Sequence, residues 1–166
     1  MNRWVTIGFV SYSVIRVASI AGATPRGSVD SHQALALCHQ ADNAIGLERS
    51  DTLKRGLQLA ERARETDDRD AAAHFAIFCN LGKQIRFAGL SWSSLRHVRR
   101  LRHEIDRTLE LAPDDPDALT AKGELLLELP GILGGDTDEG TRLLQRAIAV
   151  DPSNEATRLF LTRTAR

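Results

Sequence analysis

The sequence predicts an all-α fold: a solenoid of about three antiparallel helix pairs closed by a C-terminal capping helix. Three observations carry that expectation. Small and apolar residues recur at helical spacing in three stretches of the chain. Each stretch ends at Asp or Pro, and a new Ala-bearing helix begins just after it. Aromatic residues make up only 5% of the 166 residues, fewer than most β-sandwiches and barrels use, while 42% hydrophobic residues suffice for a core.

The repeated stretches are Gly56–Asp68, Leu101–Pro113 and Gly140–Pro152. Gly56, Ala60 and Ala63 stand at i, i+4 and i+7 on one helix face, as do Gly140, Leu144 and Ala147. Small side chains there let a second helix approach closely. Pro113 and Pro152 cannot continue a helix, so the chain turns. Asp114, Asp115, Asp117, Ser153 and Asn154 supply N-cap chemistry for the helix that follows.

In order, the expected helices are Ser31–Ile45, Asp51–Glu65, Asp70–Ala88, Ser93–Leu111, Asp117–Leu129, Thr137–Val150 and the cap Asn154–Thr164. In the cap, Arg158 and Arg163 are expected outside, with Leu159 and Phe160 facing inward. The run Arg96–His103 is the most basic, but Leu95, Val98, Leu101, Ile105 and Leu109 alternate with it at helical spacing. Its arginines are therefore read as a solvated face, with Glu61 and Glu65 as neighbours able to pair with some of them.

Helix–turn–helix units with these small residues and Asp-Pro endings resemble tetratricopeptide repeats. The distances from Asp68 to Pro113 and from Pro113 to Pro152, 45 and 39 residues, exceed the usual period of about 34. The extra residues are expected in the first helix of each unit or at its turn. Pro130, Gly134, Gly135 and Asp136 define the turn of the third unit. That Leu-Pro turn ending in Gly-Asp looks like the divergent repeats of the periplasmic T-component that accompanies TRAP-type solute transporters, over roughly residues 50–160. The resemblance implies a groove on the first helices of the units. Its candidate residues are Ala72, Phe75, Cys79, Lys83, Asp117, Thr120, Glu124, Leu127 and Glu128.

The N-terminal residues form a separate piece. Residues 1–23 contain no acidic residue, start with Arg3, run largely apolar, and end in Ala21-Gly22-Ala23. This is the layout of a secretory signal peptide, with a flexible leader over 24–30 and the repeat domain over 31–166. An amphipathic helix or a short anchor are the alternatives, and Arg16 within the apolar run argues against a membrane span. Residue 23 is Ala where a lipoprotein would carry Cys. Cleavage after Ala23 leaves 143 residues with a formal charge of −2.

Few residues invite chemistry. Two cysteines are too few for a disulfide scaffold or a four-cysteine zinc site. Cys38 and Cys79 lie on the first helices of adjacent units, so a disulfide is open to them if the chain is exported. The alternative is two buried small apolar residues. His32, His39, His74, His97 and His103 show no zinc spacing and are read as surface residues. Gly131, Gly134 and Gly135 lack the Lys and the preceding strand of a phosphate loop, and are read as a helix end with Asp136 or Thr137 capping the next helix. Asp136, Asp138 and Glu139 do not follow the EF-hand order. Phe75, Phe78, Phe87 and Trp92 are read as core, with Phe75 able to reach the groove.

The sequence thus points to a non-catalytic protein- or peptide-binding adaptor, without cofactor or metal, exported to the periplasm or secreted. A net charge of zero argues against nucleic acid as partner. The resemblance implies a solute-transport component as partner. An incompletely capped stack would self-associate. The alternatives are a structural assembly factor for an envelope complex, or a cytoplasmic repeat adaptor whose start is mis-assigned.

Overall fold

A computed structural model describes residues 27–88 and 94–164. The expected signal peptide and Trp92 lie outside the described residues. Among these, the chain forms seven α-helices: α1 (Val29–Asn43), α2 (Gly46–Thr66), α3 (Ala71–Ala88), α4 (Ser94–Leu111), α5 (Pro116–Glu128), α6 (Thr137–Val150) and α7 (Glu155–Thr164). A short 3-10 turn, Gly131–Leu133, stands between α5 and α6. The helices pair as α1 with α2, α3 with α4, and α5 with α6, and α7 leans on α6.

The junctions between pairs repeat one piece of chemistry. The backbone N–H of Asp70 donates to Asp67 O at 3.0 Å, that of Asp115 to Ala112 O at 3.2 Å, and that of Asn154 to Asp151 O at 3.2 Å. In each turn the last residue then caps the next helix through its side chain. Asp70 accepts from Ala73 N at 3.0 Å, Asp115 from Ala118 N at 2.9 Å, and Asn154 from Thr157 N at 3.1 Å. Such a cap satisfies a backbone donor that the helix itself leaves free, worth about 1 kcal/mol.

Asp70 does more than cap. Its second oxygen accepts from Ser28 N at 2.8 Å, and Ser28 in turn caps α1 through Ser31 N. Burial pushes the Asp70 carboxyl up, but the donors from Ser28 and Ala73 outweigh it, so it stays below the ordinary carboxylate range. One carboxylate thus fixes the start of α1 to the start of α3. The expected flexible leader ends earlier than expected for this reason, and the helix begins at Val29 instead of Ser31. The second helix also begins earlier, at Gly46. Gly46 has φ +56°, which completes the α1–α2 reversal at once, and Arg49 Nε donates back to Ala41 O at 3.1 Å.

Small residues set the helix crossings. In the first seam, fully buried Ala34, Ala60, Ala76 and Ile77 pack together, edged by Leu35, Leu57 and Leu59. Asn80 is completely buried there, donating to Ala34 O at 3.0 Å and Ala76 O at 2.9 Å. Its Oδ1 points at Gly56, where any Cβ would collide with it. Gly56→Ala is therefore expected to lose about 1–3 kcal/mol in urea denaturation. Gly131→Ala, whose Cβ would meet open space, should lose nearly nothing. In the last pair, Gly123 and Gly140 face each other so closely that a Cβ on either would press on the other's carbonyl. Leu119, Leu126, Leu143 and Ala147 fill the core around them.

The cap departs from expectation. Leu159 is 51% exposed and Phe160 half-buried, so the two do not both turn inward. Thr157 occupies the inner position instead, with its hydroxyl 2.8 Å from that of Thr120 on α5. Among the described residues, no helix is long and apolar enough to cross a membrane.

Candidate binding groove

The α3 candidates are drawn mostly into the seam with α1. Cys79 is bonded to Cys38 in a disulfide, with Cα atoms 6.2 Å apart. Lys83 Nζ donates to Cys38 O at 2.9 Å and pairs with Asp42 at 2.6 Å. Ala72 lies under Gly27, whose Cβ, if present, would touch it. These three side chains are occupied by contacts within the protein. First helices of adjacent units pack side by side, so residues facing a ligand in a looser stack here face a neighbour. Phe75 remains half-buried, its ring parallel to that of Phe78 at 6.3 Å. Phe87 stands apart from that pair, with the Arg49 guanidinium 4.1 Å over its ring.

The α5 candidates divide between two faces. Leu127 packs towards Gly140 on α6, inside the pair, and Thr120 faces α7. Asp117, Glu124 and Glu128 remain. Partial desolvation pushes Asp117 above the ordinary carboxylate range, and Asp115 adds to the push, while His39 of α1 counters it. Burial likewise raises Glu124, with Glu128 adding and Arg86 of α3 countering. Arg86 pairs with Glu128 at 3.2 Å. The charge of α1 thus reaches α5, and the end of α3 reaches it too. The side-by-side packing of α1 on α3 is not repeated between α3 and α5, where α5 bears instead on α4. The first helices α1, α3 and α5 thus share one side of the stack, with acidic residues on α5.

The turn of the third unit is built as its residues require. Gly134 has φ +88°, and its N–H donates to Gly131 O. A Cβ on Gly135 would collide with Leu129 O. Pro130 O accepts from Leu133 N at 2.8 Å and Gly135 N at 3.1 Å, and Asp136 caps α6 through Glu139 N at 2.9 Å.

Sequence reasoning missed one polar centre. His74 is 1% exposed, not a surface residue. Its Nδ1 lies 2.7 Å from Glu104 on α4 and its Nε2 3.0 Å from Asp68 O. Both neighbours are acceptors, so they favour the protonated ring, which donates from both nitrogens. Burial lowers its pKa, but the Glu104 bond and the Asp68 carbonyl outweigh that and hold it above the ordinary range. Burial raises Glu104, and the His74 bond together with Arg100 and Arg64 brings it below. The signal was present: His74 falls in register with Ile77 and Leu81 on the apolar face of its helix. Among the described residues, no three His, Cys, Asp or Glu side chains gather as metal ligands.

No family model matches the sequence, and no curated protein matches it. Among solved structures, the chain is similar to the first tetratricopeptide domain of Spaghetti (RPAP3), solved bound to the HSP90 peptide SRMEEVD. The TM-score is 0.54 at 12% identity, covering 82% of this chain and 94% of that one. The fold is tetratricopeptide-like. At this identity the likeness speaks for the fold alone. Within that tetratricopeptide-like stack, α1, α3 and α5 are the first helices of three units, α2, α4 and α6 the second, and α7 the terminal helix.

Proposed function

We propose that this protein is a non-catalytic binding module whose concave face takes a peptide segment of a partner protein, and that it works outside the cytoplasm as an adaptor. The observation that supports the reading is the side shared by the first helices α1, α3 and α5. Phe75 and Phe78 are half-buried on α3, and Asp117 and Glu124 on α5 are partly desolvated and form no direct ion pair among the described residues. Half-buried aromatic rings on the same side as acidic groups suit a neutral-to-basic segment with an apolar anchor. The tetratricopeptide neighbour was itself solved with a peptide, which supports a peptide as the class of ligand. The Cys38–Cys79 disulfide and the signal-like start support an oxidising compartment. The transporter-component resemblance supports a solute-transport protein as partner.

A photo-crosslinking residue at His39, on the rim of the face, tests this against the same probe at Arg55, exposed on α2. The expected result is a discrete adduct in native cells from position 39 only, lost on Glu124→Lys. Equal adducts from both positions would overturn the groove reading. Recovery of the full-length chain from the cytosol would overturn export.

A further inference from the structure

We infer a second docking site on the opposite helix layer, in the cleft between α4 and the Gly131–Gly134 turn, and assign it to an acidic peptide segment bearing an aliphatic side chain. The cleft has a volume of about 600 Å³ and is lined by Val98, Arg99, Arg102, Ile132, Leu133 and the two glycines. That size suits a few residues of extended peptide. It differs from the proposed binding face in place and in charge sign.

The charges decide the class of ligand. Two other arginines of α4 are neutralised within the protein. Arg100 pairs with Glu61 at 2.6 Å, and Arg107 with Glu110 at 2.9 Å. Arg99 and Arg102 differ. Arg99 makes no ion pair or hydrogen bond among the described residues, and Arg102 reaches only the Leu133 carbonyl, at 3.5 Å. Among the described residues, no carboxylate lines the cleft. Three residues apart, the two guanidiniums share one helix face and can grip a carboxylate together.

Apolar chemistry completes it. Ile132 is 95% exposed at the rim, while Val98 is buried at the wall. An aliphatic side chain of that exposure is stabilised only by a partner that covers it. The turn is already rigid, closed on Pro130 O and by Asp136 N donating to Leu126 O at 3.0 Å, so the partner pays little to organise it.

The test is an NMR titration of the disulfide-bonded protein with the blocked peptide acetyl-Leu-Glu-Val-Glu-Leu-amide and its Gln-for-Glu analogue. Saturable shifts are expected at Val98, Gly131, Ile132 and Gly134, with the α5 amides near Glu124 unmoved. The Gln analogue, and the double variant Arg99→Gln/Arg102→Gln, should each bind about tenfold more weakly or worse. Ile132→Ser, fully exposed and harmless to folding, should also weaken binding. Unmoved cleft amides would overturn the site, as would equal binding by the Gln analogue or by the double variant. Phosphatidylglycerol vesicles that retain the protein through Arg99 and Arg102 while the peptide fails would reassign the cleft to a membrane surface and overturn the peptide. Loss of the groove crosslink leaves this test intact, because the two sites share no residue.

Discussion

Glu104→Leu is expected to lose about 1–3 kcal/mol, because it leaves a buried imidazole N–H without its acceptor. His74 keeps its place at 1% exposure but loses the nearer of its two carboxylate neighbours, the exposed Asp68 standing 3.7 Å from the other ring nitrogen. Equilibrium urea unfolding measures the loss. The double variant His74→Phe/Glu104→Leu should regain much of it, since an apolar pair of similar volume carries no desolvation cost. The pair also predicts a pH profile. The folded pKa of His74 lies above 6.5, so its contribution is full below pH 6.5 and is lost as pH rises through the folded value. The folded pKa of Glu104 lies below 4.5, so its contribution is full above pH 4.5 and is lost as pH falls through the folded value. Both contribute fully between pH 4.5 and 6.5. A wild-type stability that stays flat between pH 6.5 and 9, or matches that of the double variant there, would show that the ring is not cationic.

Reducing the Cys38–Cys79 bond, or replacing Cys79 with Ala, is expected to lose about 2–4 kcal/mol. The bond closes a loop of 41 residues, and the entropy it removes from the unfolded chain corresponds to about 4 kcal/mol at that length. Urea curves of oxidised and reduced protein, with thiols alkylated after reduction, give the difference. The alanines around the bond, Ala34, Ala41 and Ala76, are each fully buried but small. They offer little apolar area, which is why the bond matters here more than in a leucine-rich seam. Equal midpoints for the two forms would mean that packing and Asn80 alone hold the seam.

Much of the fold was legible because the turns are written in residues of fixed conformational preference. Asp70, Asp115, Asp136 and Asn154 start helices within a residue or two of where their chemistry places them. Gly56 and Gly140 mark close crossings, as their spacing with Ala60 and Leu144 implies. The site was less legible. Helical periodicity tells which face of α3 is apolar, but not how far α1 lies over that face. Cys79 and Lys83 were therefore placed in the groove and sit in the seam. Leu127 was assigned by the same periodicity and turns towards α6, because Gly140 leaves room for it. The pairing of His74 with Glu104 spans 30 residues and depends on the α3–α4 crossing, which no local pattern encodes.

The uneven way in which the units are joined bears on what binding costs. The wall formed by α1 and α3 is cross-linked covalently and clasped at its start by Asp70, so it is preorganised. The α5 wall is joined to what precedes it by Leu109 of α4, which packs against the core around Leu119 and Leu126, and by side-chain ion pairs that water reaches, Arg86 with Glu128 and Lys122 with Asp106. Such pairs are weak and readily exchanged. On the proposed binding face a ligand would meet one covalently fixed wall and one held by fewer contacts. Under the proposed function, the entropy lost on binding would then fall mainly on the last unit.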